Sequence, residues 1–500
     1  MASLKKLAGQ TAWYGVSSIF ARLLNYLLTP YLTLKFSKAT YGEMSIVYAA
    51  IPFLNVIFTY GMETAYFRFS NRGLDQKKVF STGSLSLITS TILLTAGMIL
   101  FRNQIAGLLN LRDHPQFITW AAYIIALDTL TTLPFAKLRN DNRPRKYASI
   151  RVLSIVVNIA LVYFFYSVLP DIAKNNPGSF FANWYDPALG AGYFIIAGII
   201  SSAVTFLVLL PEFFSFRLEW NKKLWVEMML YTLPLMIAGF GGMINETFDR
   251  IMLGRWAPMA GHTAKMAEVG IYGACYKLSI LITLFVQAFR MGAEPFFFQQ
   301  AGNEDAPRTY ARVMKYFVIT ICCMFLMVAL YLDLWKHFIQ NRQMWVGLTV
   351  VPILLLANMC LGVYYNLAIW YKLSQKTGAG ATITLVGAAI TLIINFFFIP
   401  YYSYMACAWA TLICYATMMV ISYIWGQRVY PIPYPVKKLL GYFAFMLLLY
   451  FLYIGAGHII TSVGMHYLLA TLFLVSYIVY IMRKEREELQ RLPVIGRMLK

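Results

Sequence analysis

QFITWAAYIIALDTLTTLPFAKLRNDNRPRKYASIRVLSIVVNIALVYFFYSVL, residues 116–169, holds two apolar runs parted by a gap with Lys137, Arg139, Arg143, Arg145, Lys146 and Arg151. Each run has the roughly 20 residues that an α-helix needs to cross the hydrocarbon core of a bilayer. A cluster of base between two such runs marks the side that stays in the cytoplasm. The same pattern continues through the whole 500-residue chain.

Reading outward from this stretch, runs fall at about 10–34, 43–66, 80–101, 116–136, 148–169, 188–210, 225–248, 269–292, 313–333, 346–369, 379–400, 404–425, 438–457 and 462–482. Of the 42 Lys and Arg residues, 29 lie in or beside every second gap and at the two ends. The seven alternate gaps hold 10, and Arg22, Lys277 and Arg290 lie within runs. A missed or surplus span would invert this alternation for everything downstream, so it supports both the number of spans and their orientation. The chain reads as an all-α polytopic membrane protein of about 14 transmembrane helices, with both termini cytoplasmic. Lys5 and Lys6 precede the first run, but Arg22 interrupts it and no small-residue cleavage site follows, so it is expected to remain as a span.

Composition excludes several function classes. Hydrophobic residues make up 60% and charged residues 13%, against about 25% charge in an average soluble domain. A net charge of +21 would suggest nucleic-acid binding in a soluble protein. Here the base lies in short loops beside apolar runs, where it sets topology and meets anionic headgroups, so no nucleic-acid partner is expected. The six cysteines all fall in apolar runs without zinc-site spacing, and neither a metal nor a cofactor is expected. The five histidines lie in or beside gaps, which argues against a buried histidine relay. A membrane glycosyltransferase or polymerase needs a catalytic group on a large loop, whereas only residues 170–187 form a roomy outward gap. The chain therefore does not read as an enzyme.

A weak internal repeat organises the spans. YLTLKFSKATYGEMSIVYA (31–49) joins the first two, and IMLGRWAPMAGHTAKMAEVGIYGACYK (251–277) joins the seventh and eighth. Both leave an apolar helix, pass a short basic loop and re-enter through Gly and Tyr. An offset of six spans keeps the orientation, which predicts parallel six-helix repeats about an axis along the membrane normal. The expected domains are an N-terminal lobe (1–215), a C-terminal lobe (216–430), spans thirteen and fourteen (431–482) and a cytoplasmic tail (483–500). Two such bundles about a cleft are a transporter layout.

Ionisable residues inside spans are expensive and mark partners or water-filled cavities. Arg22 lies mid-helix with Asn25 one turn on; Asn55, Thr59 and Glu63 recur at four-residue spacing; Asp128 stands alone in the fourth span. The seventh span ends in Asn245, Glu246, Asp249 and Arg250, with Glu246 and Arg250 spaced as a one-turn pair. Lys277 sits near the start of the eighth, and Gln287, Arg290 and Glu294 share a face further along. Arg22, Lys277 and Arg290 in an inward-facing cavity would attract an anion, and pyrophosphate is one that Arg grips bidentately. Glu63, Asp128, Glu246 and Asp249 are candidates to bind H⁺ or Na⁺ and drive a cycle.

The fourteen spans, the six-plus-six repeat, Asn-Glu-x-x-Asp-Arg-x-Met-Leu-Gly at 245–254 and Val-Gly-Ile-Tyr at 269–272 resemble the MOP exporter superfamily. Within it the chain looks like the polysaccharide-biosynthesis branch, the Wzx-type oligosaccharide-lipid flippases. The resemblance implies alternating-access movement of an undecaprenyl-pyrophosphate-linked sugar unit across the cytoplasmic (inner) membrane. It assigns the anionic substrate to Arg22, with Lys277 and Arg290 from the second lobe, and it admits a polymerase or other polysaccharide-assembly protein as partner. Cation-coupled multidrug antiporters and lipid II flippases of the same superfamily are the alternatives.

Overall fold

The computed structural model describes residues 20, 23–24, 26–71, 75–214, 219–457, 459 and 462–489. Helix is the only regular secondary structure among them. The chain opens with α1 (Thr29–Lys35), α2 (Lys38–Thr59), α3 (Met62–Ser70), α4 (Gln76–Leu100), α5 (Arg102–Leu108) and α6 (Gln116–Asn140). It continues through α7 (Pro144–Tyr163), α8 (Leu169–Asn175), α9 (Phe180–Trp184), α10 (Gly192–Phe213), α11 (Lys222–Trp256) and α12 (His262–Gln300). The remaining helices are α13 (Ala306–Ala329), α14 (Leu332–Trp335), α15 (Val350–Leu367), α16 (Ile369–Leu373), α17 (Thr377–Tyr402), α18 (Tyr404–Val429), α19 (Val436–Gly457), α20 (Val463–Lys484) and α21 (Arg486–Leu489).

Thirteen helical segments of the described chain are long and apolar enough to cross a membrane. They coincide one for one with the second to fourteenth runs of the sequence. The first run lies largely outside the described residues, and α1 stands at its end.

The outer surface is apolar, unlike that of a soluble bundle. On α4 the hydroxyls of Ser81, Thr82, Ser84, Ser86 and Thr91 are buried beside Val79, Phe80, Leu87 and Met98, while Ile92, Leu93 and Leu100 are exposed. Phe396, Phe397 and Phe398 on α17 and Leu448, Phe451 and Leu452 on α19 are exposed as well. Such surface would aggregate in water and is at home in hydrocarbon.

Contacts divide the chain into two compact units. Unit 1 comprises Met1–Lys277, Ile339–Gly347 and Ala381–Cys414. In it α2 and α12 cross backbone to backbone at Gly42 and Gly270. A Cβ on Gly42 would stand 1.9 Å from the Met266 carbonyl oxygen, and one on Gly270 1.9 Å from that of Lys38. Small residues at the crossing are what membrane helices need to approach this closely. The two glycines belong to the two segments that resemble each other in sequence. Two consecutive left-handed residues, Tyr60 and Gly61, separate α2 from α3. The expected stripe Asn55–Thr59–Glu63 is therefore broken, because Glu63 belongs to the next helix. At the end of α10 the buried carboxylate of Glu212 accepts from Lys137 (3.4 Å), Arg143 (2.8 Å) and Lys146 (2.7 Å).

Unit 2 comprises Leu278–Phe338, Leu348–Gly380 and Tyr415–Lys500. Phe317 of α13 meets Phe289 at 4.5 Å and Phe285 at 6.0 Å between ring centroids. Trp370 of α16, fully buried, donates from Nε1 to Ser422 of α18 at 3.2 Å. Just past α20, the buried Glu485 accepts from Lys315 at 2.5 Å and from the Tyr442 hydroxyl, and Lys438 lies 3.4 Å away. Burial alone would raise the Glu485 carboxyl; the bonds from Lys315 and Tyr442 and the two ammonium charges outweigh it and hold the group below its usual range.

Candidate functional site

Asp249 lies at the meeting of four helices of unit 1. Asn245 and Asp249 are one turn apart on α11 and share a face. That face packs on α17: Asn245 Nδ2 donates to the Thr384 carbonyl at 3.2 Å, and Thr391 Oγ1 donates to Asn245 Oδ1 at 3.2 Å. One turn beyond Thr391, Asn395 is completely buried, and neither end of its amide has a partner among the described residues. From α18, the Cys407 thiol points at the Asp249 carbonyl at 3.7 Å. From α12, the Tyr272 hydroxyl donates to Asp249 Oδ2 at 2.6 Å. Asp249 Oδ1 accepts the Arg250 backbone N–H at 2.8 Å. The carboxylate is buried and hydrogen-bonded, and among the described residues it forms no salt bridge. A buried carboxylate beside an unsatisfied amide and hydroxyls supplies hard oxygen donors, the chemistry of proton and cation sites at membrane depth.

The neighbouring charges are cationic. The Arg250 guanidinium lies 4.3 Å from the Tyr276 ring centroid and bonds the Glu246 carbonyl at 3.3 Å. The Glu246 carboxylate is exposed and takes no ion pair among the described residues, so the one-turn pair expected from spacing is a backbone contact instead. Lys277 is half-buried and makes no hydrogen bond or ion pair among the described residues, and the like charge of Arg250 bears on it. Two cations thus occupy one neighbourhood of unit 1, where the charges of Asp249 and Glu246 act on Arg250 and Lys277 has no ion pair among the described residues.

The other sequence candidates have partners of their own. Asp128 accepts the Ser202 hydroxyl at 2.8 Å, joining α6 to α10. Glu63 pairs with Arg139 at 2.6 Å and is 40% exposed. Arg22 lies outside the described residues, as does Asn25. Arg290 belongs to unit 2, where its Nε is 2.7 Å from Glu294 Oε1 and its guanidinium 4.8 Å from the Tyr365 ring centroid. Lys372, which reads in sequence as a loop cation, reaches the same Glu294 oxygen at 2.5 Å. These groups line a small cleft with Asn366, which is buried with both amide atoms unpartnered among the described residues.

In unit 1 the structure sets Glu246 and Asp249 beside Arg250, whose charge also bears on Lys277, and adds Tyr272, Thr391 and Asn395, which sequence reasoning missed; in unit 2 it sets Arg290 beside Glu294 and adds Asn366 and Lys372. One signal was available. Asn366 and Asn395 are polar residues inside long apolar runs, and such residues are worth treating as site candidates.

A profile of the polysaccharide biosynthesis protein family matches residues 7–301, more than half of the chain. Comparison with curated protein sequences finds no significant match. Among solved structures, the lipid II flippase MurJ in an inward closed conformation superposes with a TM-score of 0.72 at 12% identity, over 94% of this chain and 99% of that one. The Vibrio cholerae MATE transporter VcmN gives 0.57 at 14% identity, over 86% and 98%. A multidrug resistance MATE family transporter of the MOP superfamily, in an outward-facing conformation, gives 0.54 at 12% identity, over 85% and 95%. At such identities the likeness speaks for fold alone. Family profile and fold together make this chain a member of the polysaccharide biosynthesis protein family, a multi-pass membrane protein built on the fold of the MOP superfamily.

Proposed function

We propose that the protein is a flippase that moves an undecaprenyl-pyrophosphate-linked oligosaccharide from the cytoplasmic to the periplasmic leaflet of the inner membrane, for surface polysaccharide assembly. It works by alternating access between an N-terminal lobe (1–215) and a C-terminal lobe (216–430), with both termini cytoplasmic, and transports rather than catalyses. The supporting observation is Lys277, a half-buried cation within a span that makes no hydrogen bond or ion pair among the described residues, with the Arg250 guanidinium bearing on it from the end of the seventh run. A cation within a span is costly, and a pyrophosphate would relieve Lys277 while engaging the Arg250 guanidinium fork. Arg290, Lys372 and Glu294, with net charge +1, form a second station for the same anion, and Arg22 a third.

Asp249 is the coupling carboxylate of this reading. Proton or Na⁺ binding there would use Asn245, Thr391 and Asn395 as neutral oxygen donors, with Glu246 at the margin. Asp128 and Glu63 are the remaining acidic candidates. Other polysaccharide-assembly proteins, a polymerase among them, are the expected partners.

Depletion of the protein should trap the lipid-linked intermediate in the cytoplasmic leaflet, read by leaflet-resolved labelling of its sugar. Lys277→Gln and Arg22→Ala should abolish surface polysaccharide at unchanged protein level; normal polysaccharide in Lys277→Gln would remove that residue from the mechanism. The likeness to MATE transporters favours a second reading, a cation-coupled drug antiporter. Drug efflux that survives Lys277→Gln and fails in Asp128→Asn would select it. Complementation of lipid II export would instead select the lipid II flippase.

A further inference from the structure

One end of unit 1 carries a cationic basin that the proposed function leaves unused. Arg112, in the loop after α5, and Arg255, in the last turn of α11, flank Gly107; Arg255 Nη1 lies 3.5 Å from the Gly107 carbonyl. Asn110, in the left-handed conformation at φ 56, donates from Nδ2 to the Gly254 carbonyl at 3.0 Å. That bond pins the loop to the end of α11 and so fixes the two arginines beside each other. Asn103 and Gln104 complete the lining of a basin of about 570 Å³.

Neither arginine has a carboxylate partner among the described residues. Asp113, the acidic residue of this loop, turns instead to His262 at 3.6 Å. Leu108 in its lining is 69% exposed, and Leu100 and Phe101, just ahead of α5, are 74% and 53% exposed, apolar surface close in sequence to the charged lining. In the proposed orientation this end faces outward, where the positive-inside rule thins out base. Cations kept there against that trend call for a ligand.

We infer that this basin binds a lipid carrying a phosphate or pyrophosphate headgroup. Arg112 and Arg255 take the oxyanion through guanidinium forks, Asn103 hydrogen-bonds an adjoining oxygen, and the lipid chain lies along Leu100, Phe101 and Leu108. The headgroup can come from a bulk anionic phospholipid of the outer leaflet or from the polyprenyl carrier after translocation. This inference rests on the proposed orientation and substrate class.

The test uses the full chain with Gln104→Cys in a Cys323→Ser background, since the other five cysteines are buried. In nanodiscs, undecaprenyl phosphate or phosphatidylglycerol is added to phosphatidylcholine, and the rate of maleimide labelling at position 104 is read. The expected result is protection by an anionic lipid, with its apparent affinity weakened about tenfold or more in Arg112→Gln/Arg255→Gln, which corresponds to about 1.4 kcal/mol. Protection by undecaprenyl phosphate alone identifies the carrier; equal protection by phosphatidylglycerol identifies a bulk phospholipid. No protection by either lipid, or protection undiminished in the folded double variant, overturns the site. In intact cells a membrane-impermeant maleimide should reach position 104 from outside. Labelling only after permeabilisation overturns the orientation while the nanodisc result still judges the site. Lys277→Gln measured in parallel should leave protection at position 104 intact.

Discussion

Asp249 shows what a single side chain contributes and how little of that sequence discloses. Its place in a run that ends Asn245, Glu246, Asp249, Arg250 marks it as a membrane-depth carboxylate. Tyr272, Thr391, Asn395 and Cys407 come from three other helices, up to 158 residues away, and no periodicity within one helix can connect them. Asp249→Asn keeps an oxygen for the Tyr272 hydroxyl and loses the charge together with the acceptor that faces the Arg250 backbone N–H. It should fold normally and fail in cation-driven transport. Asp249→Leu also strands the Tyr272 hydroxyl, a further penalty of about 1–3 kcal/mol, visible as a lower melting temperature in detergent. A D249N variant that transports at the normal rate would remove Asp249 from the coupling role. Glu63 behaves oppositely: it is a half-exposed member of a surface pair with Arg139, worth about 0–1 kcal/mol. Glu63→Gln should leave surface polysaccharide within about twofold of normal on that estimate.

At the scale of elements, hydropathy located the second to fourteenth spans but not their ends. α11 and α12 run for 35 and 39 residues, well beyond the roughly 20 that hydrocarbon requires. Polar turns continue a helix without adding to its apolar signal. The break at Tyr60–Gly61 was equally silent, since a four-residue spacing of Asn55, Thr59 and Glu63 looks the same whether or not the helix persists. The Gly42–Gly270 crossing was half legible: the repeat singled out both segments, yet nothing in either shows that they touch. Gly270→Ala places a methyl into the Lys38 carbonyl and should destabilise by about 3 kcal/mol. Gly242→Ala meets nothing within 4 Å and should be neutral or stabilise by about 0.5–1 kcal/mol through helix propensity. Thermal melts of the purified pair distinguish an effect of the crossing from a general intolerance of alanine at glycine.

For the molecule as a whole, charge alternation supported the number of spans, of which the described residues hold thirteen, whereas long-range ion clusters leave no such trace. Glu485 is the clearest case. Nothing in the tail marks it as the buried acceptor for Lys315, 170 residues earlier. Its carboxyl is held below the ordinary value of 4.5. The stability it provides is therefore complete above that value and is lost as pH falls through the depressed native value. Glu485→Gln should lower the melting temperature at pH 7, in keeping with about 3 kcal/mol for breaking a buried pair. The gap between variant and parent should narrow as the pH falls below 4.5 and through the depressed native value; a gap that persists in acid would assign the effect to packing.

Glu212 carries a consequence in time. Its three cationic partners, Lys137, Arg143 and Lys146, are translated first, and the carboxylate follows Arg143 by 69 residues. At about 5–20 residues per second, that interval is roughly 3–14 s. During it Lys137, Arg143 and Lys146 lack this carboxylate, at the stage of synthesis when base biases which side a loop keeps. Once α10 is made, Glu212 closes over the same three charges and they become part of the folded end of unit 1. One set of residues thus serves first as a topological signal for the nascent chain and later as a buried fastening in the finished protein.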